Sequence, residues 1–348
     1  MSVRPPSSKI VTRGLDPRAY PSWCRDVGLA PERVGARVEP AHDAERGAIA
    51  RRGVLLGGAA LVVLPTTTAS AQSQYPDFVA SSRHFTTSDG VNLHYIDARP
   101  ARGSGGNHVL VLIPGWTMPA WIFGPQITYF DRFCRVIAFD PRGQGDSEVP
   151  AQGYTAERRG QDIAELLDAI GAAKVVLLGW SLGVLDSLAY VDAHGAGRLS
   201  ALVLIDNSIG ENPPPRSAPA PRTSHHHRPL LYAATMAAFV RGMFHTPQPQ
   251  AYLRRLTATC LITPEAAARA LLDYRVPRVF WRNAVYSAGV PILYCVRPGL
   301  AGQAGNLARN DTEAEIVIFP DAGHALFVDD AARFNAVLAN FLRERVWT

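Results

Sequence analysis

The chain has 348 residues, 47% of them hydrophobic, with 35 Lys and Arg against 30 Asp and Glu. Residues 1–71 hold 10 of those basic residues and 6 of the acidic ones, which leaves 25 against 24 and a net charge of +1 for the rest, so the basic balance is no argument for a nucleic-acid partner. Three cysteines follow residue 71, Cys134, Cys260 and Cys295, and an odd count without C-x-x-C spacing argues against a metal knot or a disulfide scaffold. The spacing leaves one bridge, Cys260–Cys295, open.

Residues 1–71 read as an N-terminal extension and export signal. Arg51-Arg52-Gly53 precede an apolar run, Val54 to Leu64, followed by Pro65, a threonine cluster and Ala69-Ser70-Ala71. Paired arginines, a short apolar region and an A-x-A site resemble a bacterial twin-arginine signal. Cleavage is expected after Ala71, with the twin-arginine translocon as a partner during export and a periplasmic or secreted location. Eleven apolar residues are too few to cross a bilayer, so no permanent membrane anchor is expected. Met1 to Ala50 is long for the region before such a signal. It reads either as a disordered extension or as the product of a start codon placed too early.

The span after Ala71 divides into a core, 72–206 plus 288–348, and an insert, 207–287. Arg83–Thr87 and Val91–Ile96 read as a hairpin, with Asp89-Gly90 pointing to a type I′ turn. His108–Ile113, Arg135–Phe139, Val175–Leu178, Ala201–Ile205, Ile292–Val296 and Glu315–Phe319 are aliphatic runs suited to buried parallel strands. Helical patterns lie between several of them, at Ala156–Ile170 and Val184–Ala193, and Ala331–Val346 closes the chain. This alternation implies an α/β class, a mostly parallel doubly wound sheet. After Asn207 the rhythm breaks into a proline-rich stretch and then helical segments near Leu230–Phe244, Gln250–Ala258 and Pro264–Tyr274, read as a helical cap inserted after strand 6. Its ten arginines face Glu211, Glu265 and Asp273. They read either as a solvated surface or as a field that attracts anionic or amphiphilic substrates. His225-His226-His227 reads as a solvated loop, because three consecutive histidines cannot converge on one ion.

The chemistry centres on Val175-Val176-Leu177-Leu178-Gly179-Trp180-Ser181-Leu182-Gly183, an apolar strand driven into a Gly-x-Ser-x-Gly turn before a helix. That order is a nucleophile elbow: glycines leave room where a Cβ would clash, and the helix aims its N-terminus at developing negative charge. The serine needs a base, and His324 follows the last strand, so it falls at the same sheet edge as Ser181. The backbone N–H of Leu182, directly after the nucleophile, and that of Trp116, in Pro114-Gly115-Trp116-Thr117, are the expected oxyanion donors. No cofactor or metal is expected.

Together with Asp140-Pro141-Arg142-Gly143-Gln144-Gly145-Asp146-Ser147, these pieces resemble the α/β-hydrolase-fold serine hydrolases, in particular the capped esterase, lactonase and haloperoxidase-like group. The resemblance covers roughly Phe85 to Val346. It implies acyl transfer from a small-molecule carboxylic ester or lactone to Ser181, with Asp140 to Ser147 as a structural turn. Family members usually place the third residue, the acid, after strand 7, but Arg297-Pro298-Gly299-Leu300-Ala301-Gly302 has no carboxylate. Some relatives place it after strand 6, where this chain has Asp206, a carboxylate too costly to bury without a partner. Asp206 is the expected acid and Asp311 its rival. Acyl transfer to hydrogen peroxide, as in perhydrolases and haloperoxidases, is the alternative chemistry, and a non-catalytic ligand-binding member of the fold is the other alternative.

Overall fold

The computed structural model describes residues 80–100, 108–211, 229–273 and 275–347. The export-signal reading of residues 1–71 and the three histidines at 225–227 lie outside the described residues. Among the described residues, no helix is long and apolar enough to cross a membrane.

One sheet organises the chain. Its strands are β1 (Ala80–Thr86), β2 (Asn92–Ala98), β3 (Val109–Ile113), β4 (Arg135–Asp140), β5 (Val175–Trp180), β6 (Leu199–Ile205), β7 (Ile292–Val296) and β8 (Glu315–Ile318). The spatial order is β1-β2-β4-β3-β5-β6-β7-β8. β1 and β2 pair antiparallel, as do β2 and β4, and every later pairing is parallel. The inner parallel strands β3, β5, β6 and β7 are largely apolar because both of their faces are covered, whereas the edge strand β8 is only half-buried. In β3, Leu110 and Leu112 point into one apolar layer, while Val109, Val111 and Ile113 point into the other.

The helices follow as α1 (Gly124–Phe130), α2 (Ala156–Ala169), α3 (Leu182–His194), α4 (Pro229–Gly242), α5 (Gln250–Cys260), α6 (Glu265–Ala270), α7 (Arg278–Ser287), α8 (Ala301–Asn310), α9 (Leu326–Asp329) and α10 (Ala331–Arg345). α2, α3, α7 and α8 cover one face, and α1 and α10 cover the other together with residues of α4, α5 and α6. The span 207–287, read from sequence as one insert, thus divides between the two layers. α4 packs against α5, whereas Trp281, Ala284 and Val285 of α7 settle against α3. Arg159 of α2 and Asp186 of α3 form a buried pair at 2.7 Å that fixes these two helices in register.

Two local expectations are corrected. The β1–β2 hairpin does not use a type I′ turn: Gly90 takes φ +83° while Ser88 and Asp89 stay at negative φ. The Gly90 N–H donates to the Thr87 carbonyl and the Thr87 N–H to the Val91 carbonyl, which makes a three-residue loop with glycine in the left-handed position. The Cys260–Cys295 bridge is absent. Cys134, Cys260 and Cys295 are all free and buried, and burial pushes the Cys134 and Cys260 thiols up to about 12.

Candidate active site

The C-terminal ends of β3, β5, β6 and β8 feed one point. β5 runs directly into Ser181, whose φ of 54° and ψ of −118° are strained for a residue with a Cβ. The tight turn explains the flanking glycines. A Cβ on Gly179 would collide with the Gly183 carbonyl, and one on Gly183 with the carbonyl of Ile113 on β3. The turn is held by the Ser181 N–H donating to the Ile205 carbonyl at 2.9 Å, and by the Asn207 side-chain amide donating to the Ser181 carbonyl at 2.7 Å.

His324 sits on the loop after β8. Its Nε2 accepts from the Ser181 hydroxyl at 2.8 Å and its Nδ1 donates to Asp206 Oδ2 at 2.7 Å. Asp206 directly follows β6, at φ +48°. All three side chains are buried, with Ser181 2% exposed, His324 1% and Asp206 2%. The rival carboxylate, Asp311, lies elsewhere. It follows α8 before β8, at the opposite end of the strand from His324, and its side chain accepts from the Glu313 N–H.

Burial opposes the charge on Asp206, but the Arg297 guanidinium and the bond from His324 outweigh it and hold the carboxyl below its ordinary range. Burial also disfavours a charged imidazole. Asp206 pulls the other way, yet His324 remains below its ordinary value, with Arg297 adding to the depression. A neutral imidazole beside an ionised carboxylate can take the Ser181 proton and be stabilised as it becomes charged.

The expected oxyanion donors flank the same point. Leu182 is the first residue of α3, where a backbone N–H precedes the intrahelical ladder. The loop carrying Trp116 lies against the elbow, so closely that a Cβ on Gly115 would come 3.0 Å from the Ser181 Cβ. Thr117, next in that loop, is held at φ +58°, with its N–H donating to the Gln144 side-chain oxygen. The Ala120 N–H donates to Asp140 at 2.5 Å. The Asp140 to Ser147 turn therefore props up the Trp116 loop. Among the described residues, Thr117, Ser181 and Asp206 are the non-glycine positions at positive φ, and all three belong to this site.

Sequence reasoning missed several supports. Trp180 Nε1 donates to the His324 carbonyl at 2.9 Å. Asp329 accepts from the N–H groups of Gly323 and His245, both at 2.7 Å, tying the histidine loop to the chain after α4. Trp116 Nε1 donates to the Ala268 carbonyl of α6 at 2.6 Å. Arg297 contacts Asp206. Except for Gly323 with Asp329, six residues apart, each contact joins elements distant in sequence, so no spacing rule links them.

A second serine–histidine–aspartate chain exists at the β1–β2 edge. Ser82 donates to His94 Nε2 at 2.8 Å, and His94 Nδ1 donates to Asp140 at 2.7 Å. Ser82 is exposed on an edge strand, with no elbow or following helix to supply oxyanion donors. His94, Asp140 and Asp146 also have ligand atoms within 4.8 Å of one another, a grouping that could hold a metal ion. Both ring nitrogens of His94 are already hydrogen-bonded, and Asp140 accepts from the Ala120 and Asp146 N–H groups. Internal hydrogen bonding accounts for the cluster.

Comparison with known proteins agrees with this architecture. Residues 110–337 match the family described as alpha/beta hydrolase. The chain is 32% identical over 281 residues to an N-formylmaleamate deformylase of Pseudomonas putida, covering 76% of this chain and 97% of that protein. It is 34% identical over 121 residues to a non-heme chloroperoxidase of Streptomyces lividans, where the match spans 34% of this chain and only 42% of the relative. An esterase structure from Rhodococcus sp. ECU1013 superposes with a TM-score of 0.62 at 23% identity, covering 76% of this chain and 99% of that one. The eight-stranded, mostly parallel sheet with its flanking helices is the alpha/beta hydrolase fold, and the chain belongs to the alpha/beta hydrolase family.

Proposed function

We propose that this protein is a serine hydrolase that cleaves a small carboxylic ester or lactone through an acyl-enzyme on Ser181. The observation that carries the reading is the buried chain from the Ser181 hydroxyl through His324 to Asp206. His324 takes the serine proton as Oγ attacks the substrate carbonyl, and the Leu182 and Trp116 N–H groups receive the oxyanion. His324 returns the proton to the leaving alkoxide. Water, deprotonated by the same imidazole, then releases the acid. With Ser181 and His324 almost fully enclosed, α4, α5 and α6 act as a cap that admits a small acyl group, while α7 packs on the other face of the sheet.

The test is labelling by a fluorophosphonate probe, followed by turnover of p-nitrophenyl esters and lactones. Labelling should disappear in Ser181→Ala and persist in Ser82→Ala. The reverse pattern would move the chemistry to the β1–β2 edge.

The similarity to a chloroperoxidase favours a second reading, in which hydrogen peroxide replaces water as the acyl acceptor. Peracid formation from acetate and peroxide, measured beside ester hydrolysis, separates the two. We also propose that residues 1–71 direct export through the twin-arginine translocon to the periplasm or beyond. Replacing both arginines of the pair, Arg51→Lys with Arg52→Lys, should then retain the full-length chain in the cytoplasm.

A further inference from the structure

The loop after β7, where the family resemblance leads one to look for the acid, offers a cation instead. The Arg297 backbone N–H donates to Asp206 Oδ1 at 3.0 Å, and its Nε donates to Asp206 Oδ2 at 2.5 Å. Oδ2 is the same oxygen that receives His324 Nδ1. One carboxylate oxygen is thus shared between the guanidinium and the imidazole. The Arg297 side chain is 21% exposed while that of Asp206 is fully buried, so the charge reaches inward from the rim. Asp206, at positive φ at the end of its strand, would otherwise be a strained, desolvated anion with one partner.

We propose that Arg297 is a positioning residue for the acid–base pair: it clamps Asp206 into line with His324 and competes with the imidazole for Oδ2. The inference rests on the acyl-transfer reading of Ser181. It goes beyond that reading by assigning a role to the loop that lacks the acid.

The surrounding groups leave this role to Arg297. Tyr294 and Cys295 on β7 are held neutral by burial, and the Tyr294 hydroxyl donates to the Asn207 carbonyl at 2.7 Å. Arg278 of α7 directs its guanidinium to Ser208 Oγ and the Glu211 carbonyl. Asp329 is bound to N–H groups of the histidine loop and of the chain after α4. Among the described residues, His324 and Arg297 are the charge-bearing side chains whose contacts with Asp206 are resolved.

The test is the pH dependence of kcat and kcat/KM for Arg297→Met and Arg297→Lys, with an ester that the wild-type protein turns over. Arg297→Met should lower kcat about tenfold or more, with KM little changed. It should also move the acidic limb of kcat/KM upward, since removing a cation favours the imidazolium. Arg297→Lys restores the charge without the fork and should return the limb toward its wild-type position while recovering only part of kcat. If Arg297→Met does not fold, Arg297→Gln and Arg297→Lys carry the same comparison. An acidic limb that stays fixed in every folded variant overturns the proposal, as does a loss of thermal stability without any kinetic change. Absence of Ser181-dependent turnover in the wild-type protein would instead sink the underlying hydrolase reading.

Discussion

The indole of Trp180 and the backbone of His324 are directly joined: Nε1 donates to the histidine carbonyl at 2.9 Å, and the two rings lie 5.3 Å apart, centroid to centroid. The residue before Ser181 therefore fixes the His324 loop, linking the C-terminal ends of β5 and β8. Trp180→Phe preserves most of the packing against Phe327 but leaves a buried carbonyl without its donor. kcat should fall about tenfold, the cost of one buried hydrogen bond to a positioned group, with KM nearly constant. Unchanged kcat would show that the histidine loop holds its own position.

Asp206 and Asp311 separate cleanly in space, and their variants should separate as cleanly in rate. Asp206→Asn keeps the shape of the site but gives His324 the wrong tautomer partner, so kcat should drop by roughly four powers of ten. Asp311→Asn touches only the turn into β8 and should leave steady-state kinetics as they are. Equal losses in the two variants would contradict the geometry.

The depressed His324 pKa has a sign that can be checked twice. The proposed acyl transfer needs the neutral imidazole, so the acidic limb of kcat/KM should fall below the ordinary value of 6.5. Stability shares the direction. Both His324 and Asp206 are lowered on folding, so each contributes stability above its unfolded value, and that contribution is lost as pH falls through the folded one. Urea unfolding should show a first decline beginning below about pH 6.5, from the histidine, and a further one below about pH 4, from the carboxyl. A limb at or above 6.5 would show that Asp206 outweighs burial.

Arg142, in the turn beneath the Trp116 loop, has its guanidinium fully buried. It binds Asp162 of α2 at 2.5 and 2.7 Å and Asp89 of the hairpin at 3.1 and 3.2 Å. Burial already pushes the Asp162 carboxyl upward despite these partners. Arg142→Met removes the main counter-charge and should cost about 3–5 kcal/mol in urea or thermal unfolding. A loss below about 1 kcal/mol would mean that Arg158, 2.8 Å from Asp162, suffices alone.

Much of this was legible in the sequence, for identifiable reasons. The inner parallel strands are buried on both faces, so their apolar runs stand out, and β7 begins and ends where its run does. The elbow was legible because a strand, two glycines and a helix must all be local. α7 and α8 were missed. In α7 the buried Trp281, Ala284 and Val285 are spaced as a helix requires, but three buried positions in a ten-residue helix make too short a stripe to read. In α8 only Ala304 and Leu307 are buried, with Gly302 and Gly305 beside them, too thin a stripe to read.

The candidate nucleophile, the candidate base and the alternating architecture could thus be read from the chain alone, because each depends on residues close in sequence or on the order of elements. The same reading narrowed the acid to two carboxylates. Choosing between them took the folded chain: Asp206 lies at the strand ends where the histidine loop arrives, and Asp311 lies at the other end. The Arg297 clamp is equally non-local. It joins residues 91 positions apart that become neighbours only because β6 and β7 pair in parallel register, Ile205 beside Cys295. Long-range pairing of that kind leaves no mark on local spacing.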